Sequence, residues 1–246
     1  MEDSTVCTFR LSASDHFFGL SLARKCVNYA ICHNVQELDI SCIVEKSLEF
    51  PPTFFTCQSI RVLKLRNCDG NMIIPKSFSL PALKTLYLYR ASFIDDDCLS
   101  NPAEPFSRFP NIERLTLRNC QLSNSIIYAP KVRYLEILFR GHRPMFSSES
   151  KIVLSTPRLS SFKFTGQVSL DCFIEDLPCL DKIYVDLWTS FEEPYTDEVK
   201  GRMPLNLIKM LGQLRNAKSV TLSLDTLEVV LAYFTFSYTM SMILIL

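Results

Sequence analysis

The sequence predicts an α/β fold in which short parallel strands, one from each repeat, stack into a solenoid. In the segment Asn111–Leu122 (NIERLTLRNCQL), counted from Ile112, leucine occupies positions 4, 6 and 11 and cysteine occupies position 9. The segment Ser59–Cys68 (SIRVLKLRNC) has the same spacing at positions 1, 4, 6 and 9, counted from Ile60. This spacing is the signature of a leucine-rich repeat, whose strand ends in a turn closed by asparagine or cysteine at position 9.

Apolar residues recur at positions 1, 4 and 6 in eight segments of the chain. The position-1 residues are Val35, Ile60, Leu83, Ile112, Val132, Leu159, Leu180 and Ala217. The position-4 and position-6 pairs are Leu38/Ile40, Leu63/Leu65, Leu86/Leu88, Leu115/Leu117, Leu135/Ile137, Phe162/Phe164, Ile183/Val185 and Val220/Leu222. The segments follow one another at intervals of 20 to 29 residues, apart from a last interval of 37. We therefore expect about seven or eight irregular repeats.

A proline stands two residues before position 1 in five of the segments. These prolines are Pro81, Pro110, Pro130, Pro157 and Pro178. Because proline lacks a backbone N–H and has a fixed φ, we expect it to stop the preceding segment and to set an extended lead into the strand. The strands would then pair in parallel, with positions 4 and 6 pointing inward and positions 3, 5 and 7 pointing outward.

The first 34 residues predict a cap at the N-terminal end of the solenoid. Cys7, Phe9 and Leu11 alternate with polar residues, which is typical of a short edge strand. Ser14 or Asp15 can cap a following helix. The apolar residues expected on one face of that helix are Phe17, Leu20, Val27 and Ile31. A strand and a helix in this place would cover the open end of the first repeat.

Residues 35–228 form the predicted repeat domain, and residues 229–246 form an apolar tail. The longest insertion, Ser190–Ala217, contains leucines at helical spacing near Leu205–Leu214, after Pro204, and there we expect a helix. The tail Val229–Leu246 has no charged residue over 18 positions, the shortest length expected to span a bilayer. Its aromatic and β-branched residues, with no basic flank, favour a last strand followed by an apolar tail over a membrane anchor.

The composition excludes several classes of function. The chain has 246 residues, with 26 basic and 26 acidic side chains, so its net charge favours neither nucleic acid nor an acidic membrane. Ten cysteines without a CxxC pair do not predict a disulfide framework. The first ten residues (MEDSTVCTFR) lack the features of a signal peptide, and no glycosylation sequon occurs. These observations favour a protein of the cytoplasm or nucleus.

No set of residues predicts catalysis, a metal or a cofactor. The three histidines, His16, His33 and His142, belong to no recognisable nucleophile or metal motif. The cysteines Cys42, Cys68 and Cys120 are assigned to repeat turns. The run Asp95–Cys98 (DDDC) favours a solvated turn, because three consecutive carboxylates cannot all face one ion. We therefore expect a protein that is not an enzyme.

The outward positions of the second to fourth segments bring basic and aromatic residues onto one face. The candidate partner-binding residues are Lys64, Arg66, Tyr87, Tyr89, Arg114, Thr116 and Arg118. Tyrosine and arginine are enriched at the energetic centres of protein interfaces, since each combines contact area with directed hydrogen bonds. The sequence is equally compatible with a solvated face of mixed polar residues. Our hypothesis is that this patch binds an acidic segment of a partner protein.

Six segments of the chain share a more specific pattern than the repeat alone. They are NVQELDIS (Asn34–Ser41), FFTCQSIRVLKLRNC (Phe54–Cys68), FSLPALKTLYL (Phe78–Leu88), STPRLSSFKFTG (Ser155–Gly166), IEDLPCLDKIYVDLW (Ile174–Trp188) and LGQLRNAKSVTLSLDTLEV (Leu211–Val229). In these segments the chain resembles plant F-box/LRR-repeat proteins, including those that end in an FBD domain. The resemblance covers most of residues 6–229.

The resemblance implies a role in substrate recognition. In that family an N-terminal F-box docks onto the adaptor of a cullin–RING ubiquitin ligase, and the repeats select the protein to be ubiquitinated. We expect this chain to lack both the F-box and the FBD region, so docking onto the adaptor is not carried over from the family. The chain would then be a protein-interaction module.

Three alternatives remain open from the sequence. The repeats could sense a small anionic ligand, which a deep pocket would favour over a protein partner. The chain could be a truncated gene product without a function. The apolar tail could attach it to a membrane.

Overall fold

The computed structural model describes most of the repeat region and not the whole chain. The described residues are 6–13, 20–42, 50–67, 72–73, 79–92, 104–120, 122, 125–139, 151–167, 171–174, 177–188, 207–228 and 230–231. Several sequence predictions fall outside these ranges: the cap at Ser14 or Asp15, Phe17, His16, His142, Cys68, the acidic run Asp95–Cys98 and the tail beyond residue 231.

The described residues form an α/β structure. Its strands are β1 (Thr8–Ala13), β2 (Glu37–Cys42), β3 (Val62–Asn67), β4 (Met72–Ile73), β5 (Thr85–Tyr89), β6 (Ala91–Ser92), β7 (Arg114–Arg118), β8 (Ser125–Tyr128), β9 (Tyr134–Leu138), β10 (Lys151–Ser155), β11 (Ser161–Gln167), β12 (Asp171–Ile174), β13 (Lys182–Trp188) and β14 (Ser219–Leu222). Helix α1 (Leu20–Cys32) follows β1, a 3-10 helix (Pro52–Thr56) follows β2, and residues 207–213 form helix α2. Helix α2 confirms the helix predicted near Leu205–Leu214 over those residues.

The largest sheet has nine strands in the order β1-β2-β3-β5-β7-β9-β11-β13-β14. Every neighbouring pair in this sheet is parallel. The shorter strands form a separate parallel sheet, β12-β10-β8, and a pair, β4-β6. These short strands between the repeats were not predicted from the sequence. The arrangement is compatible with the predicted leucine-rich-repeat solenoid.

The strand register confirms the repeat spacing assigned from the sequence. Position 4 of each repeat lies opposite position 4 of the next, for example Leu63 opposite Leu86 and Leu86 opposite Leu115. The same row begins one strand earlier, because Phe9 on β1 lies opposite Leu38 on β2. The predicted N-terminal strand is therefore the first strand of the same parallel sheet, in step with the repeats.

The hydrophobic core lies behind the nine-stranded sheet. Side chains at positions 4 and 6 from β2 to β13 are buried, as predicted. They belong to one apolar cluster with Ala23 and Val27 of α1, Ile152 of β10 and Leu207 of α2. Burial of a leucine-sized side chain stabilises a fold by about 2 kcal/mol, so this continuous cluster is the main source of stability.

The prolines before position 1 lie in tight turns, and the predicted extended lead into the strand is wrong. The N–H of Leu159 donates to the carbonyl oxygen of Thr156 at 2.9 Å, so residues 156–159 form a β-turn with Pro157 at its second position. The N–H of Leu83 donates in the same way to Leu80, at 3.1 Å. The fixed φ of proline suits the second position of a turn, which explains its recurrence there.

Helix α1 ends in a Schellman motif. The N–H of Val35 donates to the carbonyl oxygen of Ala30 at 3.2 Å, and the N–H of Asn34 donates to Ile31 at 3.0 Å. Asn34 has a φ of 52°, in the left-handed region that this motif requires. Val35 and Ala30 are both buried, so the motif fixes the path of the chain from the helix into β2.

The last repeat keeps the predicted inward rows in its register with β13, but its side chains at positions 4 and 6 are not fully buried. Val220, at position 4 of β14, is 52% exposed, and Leu222 at position 6 is half-buried. Among the described strands, β14 is the outermost and pairs only with β13, so its inward side chains have a repeat on one side only. The chain then turns helical at residues 224–228, where the buried Thr226 hydroxyl accepts a hydrogen bond of 2.8 Å from the N–H of Leu187.

Candidate functional site

The seven predicted contact residues lie on three adjacent strands, β3, β5 and β7, on the face of the sheet opposite the core. We call this the outer face; it carries positions 3, 5 and 7 of each repeat. Arg66, Tyr89 and Arg118 lie opposite one another at position 7, and Lys64, Tyr87 and Thr116 do so at position 5. Arg114 lies at position 3 of β7, opposite Thr85. The register therefore brings all seven residues into one patch.

Tyr87 lies at the centre of this patch between two arginines. The guanidinium carbon of Arg66 lies 5.3 Å from the centroid of the Tyr87 ring, and that of Arg118 lies 5.4 Å from it. Both distances are within the range of cation–π attraction. Because the arginines come from the strands on either side of β5, they restrict the tyrosine ring from both directions.

Two buried carboxylates hold these arginines in place. Asp39 on β2 accepts a hydrogen bond of 3.2 Å from Nη2 of Arg66, and Glu136 on β9 accepts one of 2.9 Å from Nη2 of Arg118. The side chains of Asp39 and Glu136 are only 4% and 7% exposed. The sequence predicts that position 5 points outward, which is so, but the flanking arginines cover these two carboxylates.

The resulting arginine–tyrosine cluster comprises Asp39, Arg66, Tyr87, Arg118 and Glu136. Its two halves are alike, since on each side an arginine at position 7 contacts Tyr87 and pairs with a carboxylate at position 5 of the strand beyond. Asp39 and Glu136 were not predicted from the sequence as members of this cluster. The sequence does contain a signal for them. Each arginine is at position 7 of its repeat, and the neighbouring repeat on the side away from Tyr87 has an acidic residue at position 5.

Further groups surround each carboxylate. Asp39 Oδ2 also lies 3.5 Å from Nε of Arg10, and Glu136 Oε2 accepts a hydrogen bond of 2.9 Å from the Tyr134 hydroxyl. Burial and the hydrogen bond to Glu136 raise the pKa of Tyr134. Burial tends to lower the pKa of Arg118, but the charges and hydrogen bonds of Glu136 and Tyr87 together outweigh it, so the pKa is raised and the guanidinium stays charged.

The other predicted residues lie around the cluster. Lys64 donates to Glu37 at 2.9 Å, so this cation is also paired with an acidic neighbour. Arg114 lies 4.4 Å from the ring centroid of Tyr134. Tyr89 and Thr116 are half-buried. The patch is therefore less basic than its sequence indicates, because three of its four cations are matched by carboxylates.

Two of the cysteine and histidine residues considered as catalytic candidates, Cys120 and His33, lie in the described ranges and make contacts typical of structural residues. Cys120 is buried, and its thiol donates to the carbonyl oxygen of Leu88 at 3.6 Å, which agrees with a cysteine that closes a repeat turn. Burial raises the pKa of this thiol to about 12. His33 stacks on Tyr29, with ring centroids 4.0 Å apart, at the end of α1. Within the described ranges, no three His, Cys, Asp or Glu side chains are grouped as a metal site would require.

The length and composition of the helices bear on the alternative of membrane attachment. In the part of the chain that the structure describes, no helix has the length and apolar character needed to cross a bilayer. The part of the apolar tail beyond residue 231 lies outside the described residues.

Comparison with known proteins identifies similar proteins in Arabidopsis thaliana. An F-box/FBD/LRR-repeat protein is 25% identical over 199 residues, which cover 78% of this chain and 42% of that protein. A putative F-box/FBD/LRR-repeat protein is 26% identical over 208 residues, covering 82% and 43%. An FBD-associated F-box protein is 29% identical over 194 residues, covering 79% and 38%.

The chain spans less than half the length of each of these three relatives. No protein-family model matches the chain, and no solved structure matches it at a significant level.

Proposed function

We propose that this chain, which is related to the plant F-box/FBD/LRR-repeat proteins, recognises another protein through the outer face of its nine-stranded sheet. The resemblance implies that its repeats correspond to the part of such proteins that selects a substrate for ubiquitination. We propose the same class of partner here, and a role in binding with no catalysis by this chain. Its site of action in this proposal is the cytoplasm or nucleus.

We also propose that the fold is a leucine-rich-repeat solenoid. Support comes from the one strand contributed by each repeat to a fully parallel sheet, and from the apolar rows that continue unbroken across the register. We take the strands β2 to β14 of the nine-stranded sheet as eight repeats. Strand β1 and helix α1 lie at the N-terminal end, where the cap is proposed.

The observation that carries the proposed function is the position of Tyr87 between Arg66 and Arg118. Each arginine is fixed by a buried carboxylate, so the three half-buried side chains lose little conformational freedom when a partner binds. Tyrosine and arginine are the residue types most often found at interface hot spots. A partner would therefore meet a rigid aromatic centre with guanidinium groups on both sides.

Affinity purification with matched variants tests this proposal. The 246-residue chain, and the same chain with Tyr87→Ala, would be used to recover proteins from plant cell extract for mass spectrometry. A suitable control is Tyr128→Ala, because Tyr128 is 44% exposed and lies on β8, in the three-stranded sheet. We expect a defined set of proteins that Tyr87→Ala loses and Tyr128→Ala retains.

The alternatives are distinguished by which proteins are recovered and by which variant loses them. If Tyr87→Ala and Tyr128→Ala recover the same proteins as the unchanged chain, the outer face is not the recognition surface. Recovery of ligase adaptor subunits that both variants retain would show that residues 1–246 dock onto the adaptor independently of Tyr87. Recovery of chaperones and proteasome components alone would contradict the proposal and favour an unstable product.

A further inference from the structure

The cations of the outer face fall into two groups. Lys64, Arg66 and Arg118 each form an ion pair with a carboxylate on a neighbouring strand, at 2.9 to 3.2 Å. For Arg66 and Arg118 that carboxylate is buried. A partner carboxylate that drew either arginine away would leave a buried charge without its counterion, which is strongly unfavourable. These arginines are therefore poor primary sites for an acidic partner.

Arg114 and Lys163 belong to the second group. The guanidinium of Arg114 lies 4.4 Å from the ring centroid of Tyr134, and the ammonium of Lys163 lies 5.0 Å from that of Tyr184. Among the described residues, neither cation is within ion-pair distance of a carboxylate. Glu136 lies opposite Lys163 in the register, but its two oxygens accept hydrogen bonds from Arg118 and Tyr134.

The two aromatic rings orient these cations without neutralising them. A cation that lies over a tyrosine ring is attracted to the ring face and keeps its full charge. Arg114 is exposed and Lys163 is half-buried, so both can be reached by a partner. Lys182, at position 3 of β13, is a further exposed cation for which the described residues show no ion pair.

We propose that Arg114 and Lys163 bind two acidic side chains of one extended segment of the partner protein. This inference rests on the proposed function and specifies the partner that the outer face accepts. The acidic side chains would therefore contact Arg114 and Lys163, on the C-terminal side of the patch, and not Lys64, Arg66 or Arg118. Tyr87 and its arginines supply the aromatic contact beside them.

The register sets the spacing of those acidic side chains. Strands β7 and β11 are separated by β9, so Arg114 and Lys163 lie two strands apart and two positions apart along the strands. With about 4.8 Å between strands and 3.3 Å per residue, the two positions are about 12 Å apart. In an extended segment, acidic residues four positions apart lie on one side at about 13 Å, which matches this distance.

Binding of two synthetic peptides to the whole chain tests the inference. One peptide carries two glutamates four positions apart in a serine–threonine sequence, and the other carries glutamine at both places. Fluorescence anisotropy at low salt would compare their affinities. We expect the acidic peptide to bind more tightly, with a loss of about fivefold or more for Arg114→Gln and for Lys163→Gln.

Matched variants separate a specific effect from a change in net charge. Lys84→Gln removes one exposed cation that is already paired with Glu113 at 3.1 Å, so we expect little change in peptide affinity. Arg114→Lys keeps the charge and should retain most of the binding. Equal affinity for the two peptides, or an equal loss in Lys84→Gln and Arg114→Gln, would overturn the inference.

The outcome is distinguishable from that of the proposed function. If Tyr87→Ala loses the partners recovered from extract while Arg114→Gln and Lys163→Gln retain them, recognition by the outer face stands and the acid-binding assignment fails. If none of the three variants loses a partner, both fail.

Discussion

Arg118 on β7 donates a hydrogen bond of 2.9 Å to the buried carboxylate of Glu136 on β9, while its guanidinium also lies 5.4 Å from the ring centroid of Tyr87. One side chain thus connects three strands of the sheet. Glu136 would be costly to bury alone, and Arg118 would be free to rotate without it. The pair therefore stabilises the fold and fixes the geometry of the outer face together.

Removing the charge of Glu136 tests the contribution of this pair to stability. Because Glu136→Gln weakens two hydrogen bonds at a site that is 7% exposed, we expect the free energy of unfolding to fall by about 1–3 kcal/mol. Urea denaturation measures the change. Glu113→Gln is the control, since Glu113 forms an exposed pair with Lys84 that is worth at most about 1 kcal/mol. An equal loss in both variants would show that the burial of Glu136 has no special consequence.

Because of Cys120, we expect the free energy of unfolding to fall at alkaline pH. Burial raises the pKa of its thiol to about 12 from the ordinary 9.0, although backbone hydrogen bonds oppose the shift. The folded state therefore holds this proton more tightly than the unfolded state. The contribution to stability is complete below pH 9 and is lost as the pH rises from 9 to 12, by up to about 1.4 kcal/mol per pH unit.

Urea denaturation between pH 8 and 10.5 checks that dependence. Other groups titrate in the same range, so the measured quantity is the difference in slope between the unchanged chain and Cys120→Ala. We expect Cys120→Ala to be less stable at pH 8 but to lose less stability with rising pH. Cys179→Ala, which removes an exposed cysteine, is the control for the loss of a thiol. Parallel slopes in all three proteins would contradict the expected titration.

The turn proline Pro157 stabilises the folded state through the unfolded chain. Its side chain is exposed, so Pro157→Ala loses little packing but gives the unfolded chain more backbone freedom. We expect the free energy of unfolding to fall by about 0.4–1 kcal/mol, measured by thermal or urea denaturation. Arg158→Ala, at the next and equally exposed turn position, should change it by less. No loss on Pro157→Ala would show that the proline does not restrict this turn.

The left-handed residue Asn34 gives a prediction of the opposite sign. Its φ of 52° is unfavourable for most residues and natural for glycine. Asn34→Gly should therefore maintain or raise the free energy of unfolding, whereas Asn34→Ala should lower it by about 1 kcal/mol. Asn34 is exposed, so packing differences between the two variants are small. If Ala and Gly have equal effects, the Schellman motif does not determine the stability of this helix end.

Much of the architecture follows from the sequence because each repeat carries its own signal. Leu63 and Leu65 alternate with polar residues, and the same alternation returns at Leu86 and Leu88, so strand identity, register and inward faces could all be predicted. The interpretation of the prolines was wrong because a turn is defined by a hydrogen bond, such as that from Leu159 to Thr156, which composition alone does not show.

For the arginine–tyrosine cluster, the sequence predicted the shared face but not the charge pairing. The repeat spacing placed Arg66, Tyr87 and Arg118 on one face, and the structure places them in contact. The repeat spacing did not show which cations are neutralised. Neutralisation depends on arginine side chains that reach diagonally to carboxylates 27 and 18 residues away along the chain.

The sequence by itself determined the parallel sheet, its register and the face on which polar residues lie, since these follow from a periodic pattern in which every repeat restates the same hydrophobic spacing. Only the tertiary structure decided the electrostatics of that face. Whether Asp39 is a solvated carboxylate or a buried anchor depends on Arg10 and Arg66, which come from strands on either side of its own. Burial and charge pairing arise between strands, and no single repeat encodes them.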